Sequence, residues 1–222
     1  VPSEWHEAIA ADSVLASQHR FCAKSQMFRP LRSHYCSVSQ RVVLNMDHFC
    51  PWVINTVGFY NRKFFILFLM YTLITCSYVV ATFVPRYMRL NGTVRVVRWS
   101  ANQGLITLMA MILNATLIVM LVFFLGFHMR MVFKNETTIE LNARHFDVGL
   151  RTNWAQVFGS NPWLWFVPVW GDGPAGDGIH WPMCRQRSTK SAARIEDGTI
   201  GEEDDSVDQA KLLDALGSDS SD

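Results

Sequence analysis

The strongest pattern along the chain is a pair of stretches from which charge is missing. Residues 64–84, FFILFLMYTLITCSYVVATFV, contain no charged side chain. As a helix rising 1.5 Å per residue they span roughly 31 Å, the thickness of a hydrocarbon core. Residues 105–127, LITLMAMILNATLIVMLVFFLGF, are equally free of charge. Both predict transmembrane helices joined by a loop over 85–104. Asn114 in the second reads as a helix-packing polar group, and Cys76 in the first as a lipid-facing or packing residue. Two spans place residues 1–63 and 128–222 on one side of the membrane. Residues 1–20 lack the apolar segment of a signal peptide. Beyond the second span, Trp163, Trp165, Phe166 and Trp170 alternate with Pro162 and Pro168, a composition suited to a membrane interface. From Gly171 glycine, proline and then serine become frequent, and residues 196–222 hold ten acidic residues and one lysine. Such a segment buries too little apolar surface to order itself, which predicts a disordered acidic tail over 171–222. A short partner-binding helix over 208–216 fits within it. Cys184, beside Arg185 and Arg187, reads either as a lipidation target or as an unmodified tail thiol.

Half of the 222 residues are hydrophobic and the formal net charge is +1. That near-neutral sum conceals a basic membrane-proximal part and an acidic end. Nothing in it favours nucleic acid, and no phosphate-cradling glycine loop is present. Arg62, Lys63, Arg130 and Lys134 flank the spans on one side, whereas the connecting loop carries Arg86, Arg89, Arg95 and Arg98. Charge counting therefore leaves the orientation open. Asn91, Gly92 and Thr93 match a glycosylation acceptor in that loop; Asn135, Glu136 and Thr137 match the same pattern on the other side.

Candidate chemistry lies just before the first span, where residues 47–52 read DHFCPW. A free cysteine with a pKa near 8.5 is only about a few per cent thiolate at neutral pH, so Cys50 needs a partner. In an extended segment His48 and Cys50 share a face and Phe49 points the other way, and Pro51 favours extended geometry at the residue before it. His48 then serves as general base and Asp47 fixes its tautomer. The same four residues also fit a buried cysteine beside a hydrogen-bonded histidine. A further arrangement, His34, Cys36, His48 and Cys50 as a Cys2His2 metal site, would consume the nucleophile and matches no common zinc spacing.

FCAKSQMFRPLRSHYCSVSQRVVLNM (21–46) and PWVINTVGFYNRKFF (51–65) resemble the cysteine-rich domain of DHHC-type protein S-acyltransferases, the palmitoyltransferases. Thr137, Thr138, Ile139 and Glu140 resemble that family's TTxE motif, and NWAQVFG (153–159) its C-terminal motif. The resemblance implies that Asp47, His48 and Cys50 are acid, base and acylated nucleophile. It makes Thr137, Thr138 and Glu140 supporting residues, although helix capping would explain them equally from sequence, and gives Asn153 the task of satisfying backbone groups and anchoring the tail. It implies a mainly α, polytopic membrane protein. The domains are a cytosolic segment (1–20), an irregular cysteine-rich-type cytosolic domain (21–63), the two helices and their lumenal loop, and the motif region (128–170). The family has four spans, so the chain is expected to be a fragment without the first two.

The implied function is transfer of a palmitoyl or similar long-chain acyl group from acyl-CoA to membrane-proximal cysteines of cytosolic-facing proteins. The membrane would be that of Golgi or ER, or the plasma membrane. Arg29, Arg32, Arg62 and Lys63 would meet the CoA phosphates, with membrane anchoring as the alternative. A catalytically impaired scaffold that recruits partners is the second functional reading. The family also holds two structural zinc ions, each on three cysteines and one histidine. The matching positions here are Cys22, Ser25, Tyr35 and Val42 for the first, and Cys36, Ser39, Phe49 and Thr56 for the second. One thiol per set cannot close a tetrahedral site, so both ions are expected to be absent. A structural zinc supplies about 10–16 kcal/mol in finger peptides, and burying Tyr35, Val42 and Phe49 returns roughly 1.5–3 kcal/mol each. Docking on the helices must supply the remainder.

Overall fold

The computed structural model describes residues 1–17, 19–91 and 101–184, with the backbone alone for 86–91 and 101–103. They fall into two compact units that divide at Pro30 and Leu31, inside the stretch expected from sequence to be one domain. In the first unit, helices α1 (Ser3–Ala11) and α2 (Ser13–Ser17) precede a hairpin of β1 (Arg20–Cys22) and β2 (Met27–Arg29). Trp5 is buried and its indole N–H donates to the Phe28 carbonyl at 2.9 Å, tying α1 to the hairpin. Arg29, Cys22 and Ser25 belong to this unit.

The second unit begins with two three-residue hairpins, β3 (His34–Cys36) with β4 (Arg41–Val43) and β5 (His48–Cys50) with β6 (Asn55–Val57). Such short ladders are marginal alone, and the chain joins them by backbone bonds. The Asp47 N–H donates to Val57 O at 2.9 Å, lengthening the ladder of β5 and β6, and the Phe59 N–H donates to Leu44 O at 2.9 Å, joining the exits of the two hairpins. Gly58 makes this approach possible: a Cβ there would stand 2.6 Å from Val43 Cγ1 and 2.8 Å from Leu44 O. Asn61 then closes the corner, accepting from the Gly58 N–H at 2.8 Å and donating to Thr56 O at 2.9 Å. Directly after this corner, helix α3 (Arg62–Asn91) starts.

Helices α3 and α4 (Ala101–Lys134) pack along each other. Their apolar windows, Arg62–Pro85 and Gly104–Lys134, are long and apolar enough to cross a membrane, and many of their large side chains are exposed, Ile74, Tyr78, Leu113 and Phe123 among them. Both helices outrun the lengths expected from charge alone, 64–84 and 105–127. Arg62, Lys63 and His128 are buried against protein groups, so the helix continues through polar residues that hydropathy takes as an end. Cys76 is buried, and Asn114 spends its amide on its own helix, donating to Ala110 O at 2.8 Å.

Helix α4 ends in a Schellman turn: the Asn135 N–H bonds to Val132 O and the Glu136 N–H to Met131 O, with Asn135 left-handed at φ 52°. Helix α5 (Leu150–Phe158) packs back on this end. Asn153, fully buried, donates to Phe133 O and to Asp147 Oδ1, both at 2.7 Å, and accepts from the Val148 N–H. The core that results joins Cys50 and Val57 to Phe65, Ile66 and Leu69 of α3, Leu121 and Val132 of α4, and Val157 and Phe158 of α5.

Residues 171–184 correct the expectation of a tail disordered from Gly171. The Ala175 N–H bonds to Ala155 O at 2.9 Å, the Cys184 N–H to His145 O, and Trp181 is buried. The glycines that read as disorder are turn residues: Gly171, Gly173, Gly176 and Gly178 all have positive φ. Cys184 itself is exposed. The loop 92–100, residues 185–222 and the helix expected over 208–216 lie outside the described residues.

Candidate active site

Asp47 enters the site from the residue before β5, where its carboxylate is wholly buried. Its Oδ1 accepts the Thr138 amide at 2.7 Å, and its own carbonyl accepts the Thr138 hydroxyl. Its Oδ2 lies 2.8 Å from His48 Nδ1. An ionised carboxylate can only accept, so the imidazole proton sits on Nδ1 and Nε2 is left as the free base. Burial pushes the Asp47 carboxyl upward. The His48 hydrogen bond, the Arg62 charge and the Thr138 amide outweigh it and hold the group below the usual carboxylate range. Strand β5 then turns the next residues alternately: His48, partly exposed, and Cys50, 4% exposed, on one face and Phe49 on the other. Among the described residues no hydrogen bond joins the His48 ring to the Cys50 thiol. Cys50 faces the apolar cluster formed where α3, α4 and α5 meet.

The TTIE segment is the other wall of the site. It does not cap a helix start. It leaves the Schellman end of α4, which aims Thr138 at Asp47 across 91 positions of sequence. Thr137 is fully buried and its hydroxyl accepts the Glu140 N–H at 3.2 Å. Glu140 accepts from Arg32 Nε at 2.7 Å and lies 3.5 Å from His34 Nε2. Burial raises the Glu140 carboxyl, but His34 and the Arg32 guanidinium bring it below its ordinary value.

Three of the four cations expected to meet phosphates are instead committed inside the protein. Arg32 gives its remaining donors to Asn135, Nη1 to Oδ1 at 3.0 Å and Nη2 to the carbonyl at 2.7 Å. Its guanidinium lies between the rings of Phe146 and Trp181, 4.3 and 4.4 Å from their centroids. Arg62, 2% exposed, donates to Glu136 O at 2.6 Å and balances Asp47. Lys63 donates to Val169 O at 2.9 Å. Arg29 lies half-buried on β2, in the first unit.

Two residues without a role in the sequence reading complete the site. His128, in the last turns of α4 and 1% exposed, brings Nδ1 to 3.7 Å from Asp47 Oδ2 and its ring within 5.6 Å of His48, with Phe65 and Phe124 edge-on around it. An ionisable side chain at the end of an apolar span is itself a signal of function. Asn135, seen from sequence as part of a glycosylation pattern, is the hub that binds Arg32, Phe146 O and Gln156 Oε1. No sequence pattern points to that.

Asp47, His48 and His128 bring three possible metal-binding atoms within 4.8 Å of one another, but an ion there would occupy the base. His34 and Cys36 are engaged elsewhere, with Glu140 and with Ser39 and Thr56, so the four-residue site weighed from sequence is not assembled. The positions matching the family's zinc ligands do not fit zinc. Tyr35 and Val42, partners across β3 and β4, offer a phenol and an isopropyl group. Around Cys36 the other groups are two hydroxyls and a phenyl ring.

The chain matches the model of the DHHC palmitoyltransferase family over residues 15–144. It is 37% identical over 77% of its length to palmitoyltransferase ZDHHC15A of Danio rerio, covering 53% of that protein. It is 36% identical over 76% of its length to probable protein S-acyltransferase 13 of Arabidopsis thaliana, covering 59% of it. Palmitoyltransferase ZDHHC2 of Mus musculus is also 36% identical, over 74% of this chain and 46% of the relative. The chain thus spans about half the length of the curated relatives it matches.

Proposed function

This chain belongs to the DHHC palmitoyltransferase family, and from that premise we propose that it is a protein S-acyltransferase working through an acyl-Cys50 intermediate. The observation that carries the reading is the 2.8 Å bond from His48 Nδ1 to the buried Asp47 carboxylate, on the strand whose same face bears Cys50 at the head of two apolar helices. His48 Nε2 takes the Cys50 proton as the sulfur attacks the thioester carbonyl of a long-chain acyl-CoA. The carbon–sulfur bond to CoA breaks and the CoA thiolate leaves with the proton that His48 returns. A cysteine thiol of a protein substrate then gives its proton to His48 and attacks the Cys50 thioester; the carbon–sulfur bond to Cys50 breaks, the acyl group leaves on the substrate sulfur, and His48 returns the proton to Cys50. Cys50 lies in the apolar cluster built by α3, α4 and α5, surroundings that suit an acyl chain. The catalytic face is cytosolic, the donor's compartment, in a Golgi, ER or plasma membrane.

Autoacylation with palmitoyl-CoA in detergent tests this. Hydroxylamine-sensitive label is expected on the wild type, none on Cys50→Ser, and strongly reduced label on His48→Ala. One observation favours a second reading, a membrane scaffold of the same family: the Cys50 thiol is only 4% exposed and unbonded to His48. A well-folded sample that takes no label would establish the scaffold and reject the enzyme.

A further inference from the structure

The second set of positions that match zinc ligands in the family pattern stands together in space without the chemistry of a zinc site. Thr56 Oγ1 donates to Cys36 Sγ at 3.1 Å, the Ser39 N–H donates to the same sulfur at 3.4 Å, and Ser39 Oγ lies 3.0 Å from Thr56 Oγ1. A hydroxyl has one proton to give. Since that of Thr56 goes to sulfur, Ser39 must donate to Thr56, and the chain of donors runs from Ser39 through Thr56 to Cys36. Cys36 and Thr56 are 3% and 2% exposed, so the bonds are shielded from water.

The cluster has a mechanical consequence for the nucleophile. Cys36 ends β3 and Ser39 lies in the turn to β4, while Thr56 sits opposite Phe49 in the hairpin of β5 and β6. Phe49 is flanked in the chain by His48 and Cys50. The hydrogen bonds therefore fasten the hairpin that bears both groups to the neighbouring hairpin, on the face opposite to the two. Within this cluster the sulfur behaves as an acceptor. Burial pushes its thiol up, but the bonds from Ser39 and Thr56 bring it down to about 7.

We propose that Cys36, Ser39 and Thr56 form a metal-free hydrogen-bonded staple that positions the catalytic hairpin, in the place where the family pattern has a zinc ion. Thr56 is a positioning residue: it touches no reacting atom and acts through the strand opposite.

The test uses the full-length protein purified in detergent. Metal analysis should find well below one zinc per chain, and a strong zinc chelator should leave both melting temperature and Cys50 autoacylation unchanged. One zinc per chain, lost to the chelator together with the fold, would overturn the proposal. Thr56→Val is expected to slow autoacylation about tenfold, the effect of roughly one buried hydrogen bond, and to lower the melting temperature. Thr56→Ser, which keeps the hydroxyl, should restore both. Equal behaviour of the Val and Ser variants would also overturn it. The triple variant Ser39→Cys, Phe49→His, Thr56→Cys supplies three cysteines and one histidine with Cys36, and is expected to gain one zinc per chain. If it folds and takes none, the four positions do not converge as described. Should the wild type never self-acylate, the acyltransferase reading fails alone, because zinc content and the Val against Ser melting comparison still decide the staple.

Discussion

Asp47 answers to three partners at once: the His48 ring, the Thr138 amide and, through charge, Arg62. Replacing it by Asn keeps size and burial but turns one acceptor into a donor, which faces either the His48 Nδ1–H or the Thr138 N–H. The imidazole then loses its held tautomer. Asp47→Asn is expected to lower the autoacylation rate by roughly 10³–10⁴ and, because the buried Arg62 charge loses its counter-ion, to lower the melting temperature as well, checked by palmitoyl-CoA labelling alongside a thermal melt. The reading of Asp47, His48 and Cys50 as neighbours was available from sequence because it needs only local geometry, four residues in an extended segment. His128 was not assigned, since its closeness to Asp47 depends on where α4 ends. Arg32 and Arg62 misled for a related reason. A cation near an interface looks available until the tertiary structure spends its donors on Asn135, Glu136 and Glu140.

At the level of elements, the connection before β3 and the exit from α4 are locked together through Arg32, which is itself left-handed at φ 59°. It joins Glu140, Asn135 and the rings of Phe146 and Trp181. Arg32→Ala leaves the half-buried Glu140 carboxylate with only His34. It is expected to destabilise the protein by about 3 kcal/mol, read as a lower midpoint in a detergent unfolding series. Trp181→Ala, which uncovers one face of the guanidinium but breaks no ion pair, should cost less. The two spans were legible as elements because the absence of charge over a membrane thickness is a long, redundant signal. Their ends were not, because burial of Arg62 and His128 by partners distant in sequence is invisible to a hydropathy window. The packed segment 171–184 escaped for a similar reason: glycines at positive φ and glycines in a disordered linker are the same letters.

For the molecule as a whole, two carboxylates, the buried Asp47 and the half-buried Glu140, are held below their ordinary values. In the interval between folded and unfolded pKa the unfolded chain binds more protons, so stability rises with pH there. Both groups contribute fully above the ordinary carboxylate range, and the contribution is lost as pH falls through the depressed values. These two carboxylates are therefore expected to make the melting temperature in detergent drop as pH falls below about pH 4, with the drop reduced in an Asp47→Asn variant. The membrane class was legible from sequence, and so was the family pattern. The replacement of a metal by hydroxyls and a thiol was legible only as a loss, since the bonds that replace it require the two hairpins to be seen side by side.

The bond from Thr138 to Asp47 also sets a timetable. A ribosome that has just finished the hairpin bearing Cys50 has still to make both membrane helices before the residue that holds the acid exists. At about 5–20 residues per second, that wait is about 4–16 s. During it the thiol is already synthesised but its acid is unanchored, so a nascent chain passes through the inserting machinery with its chemistry not yet assembled. Chains cut short between the hairpin and Thr138 carry every letter of the DHFC motif without the bond that anchors its acid.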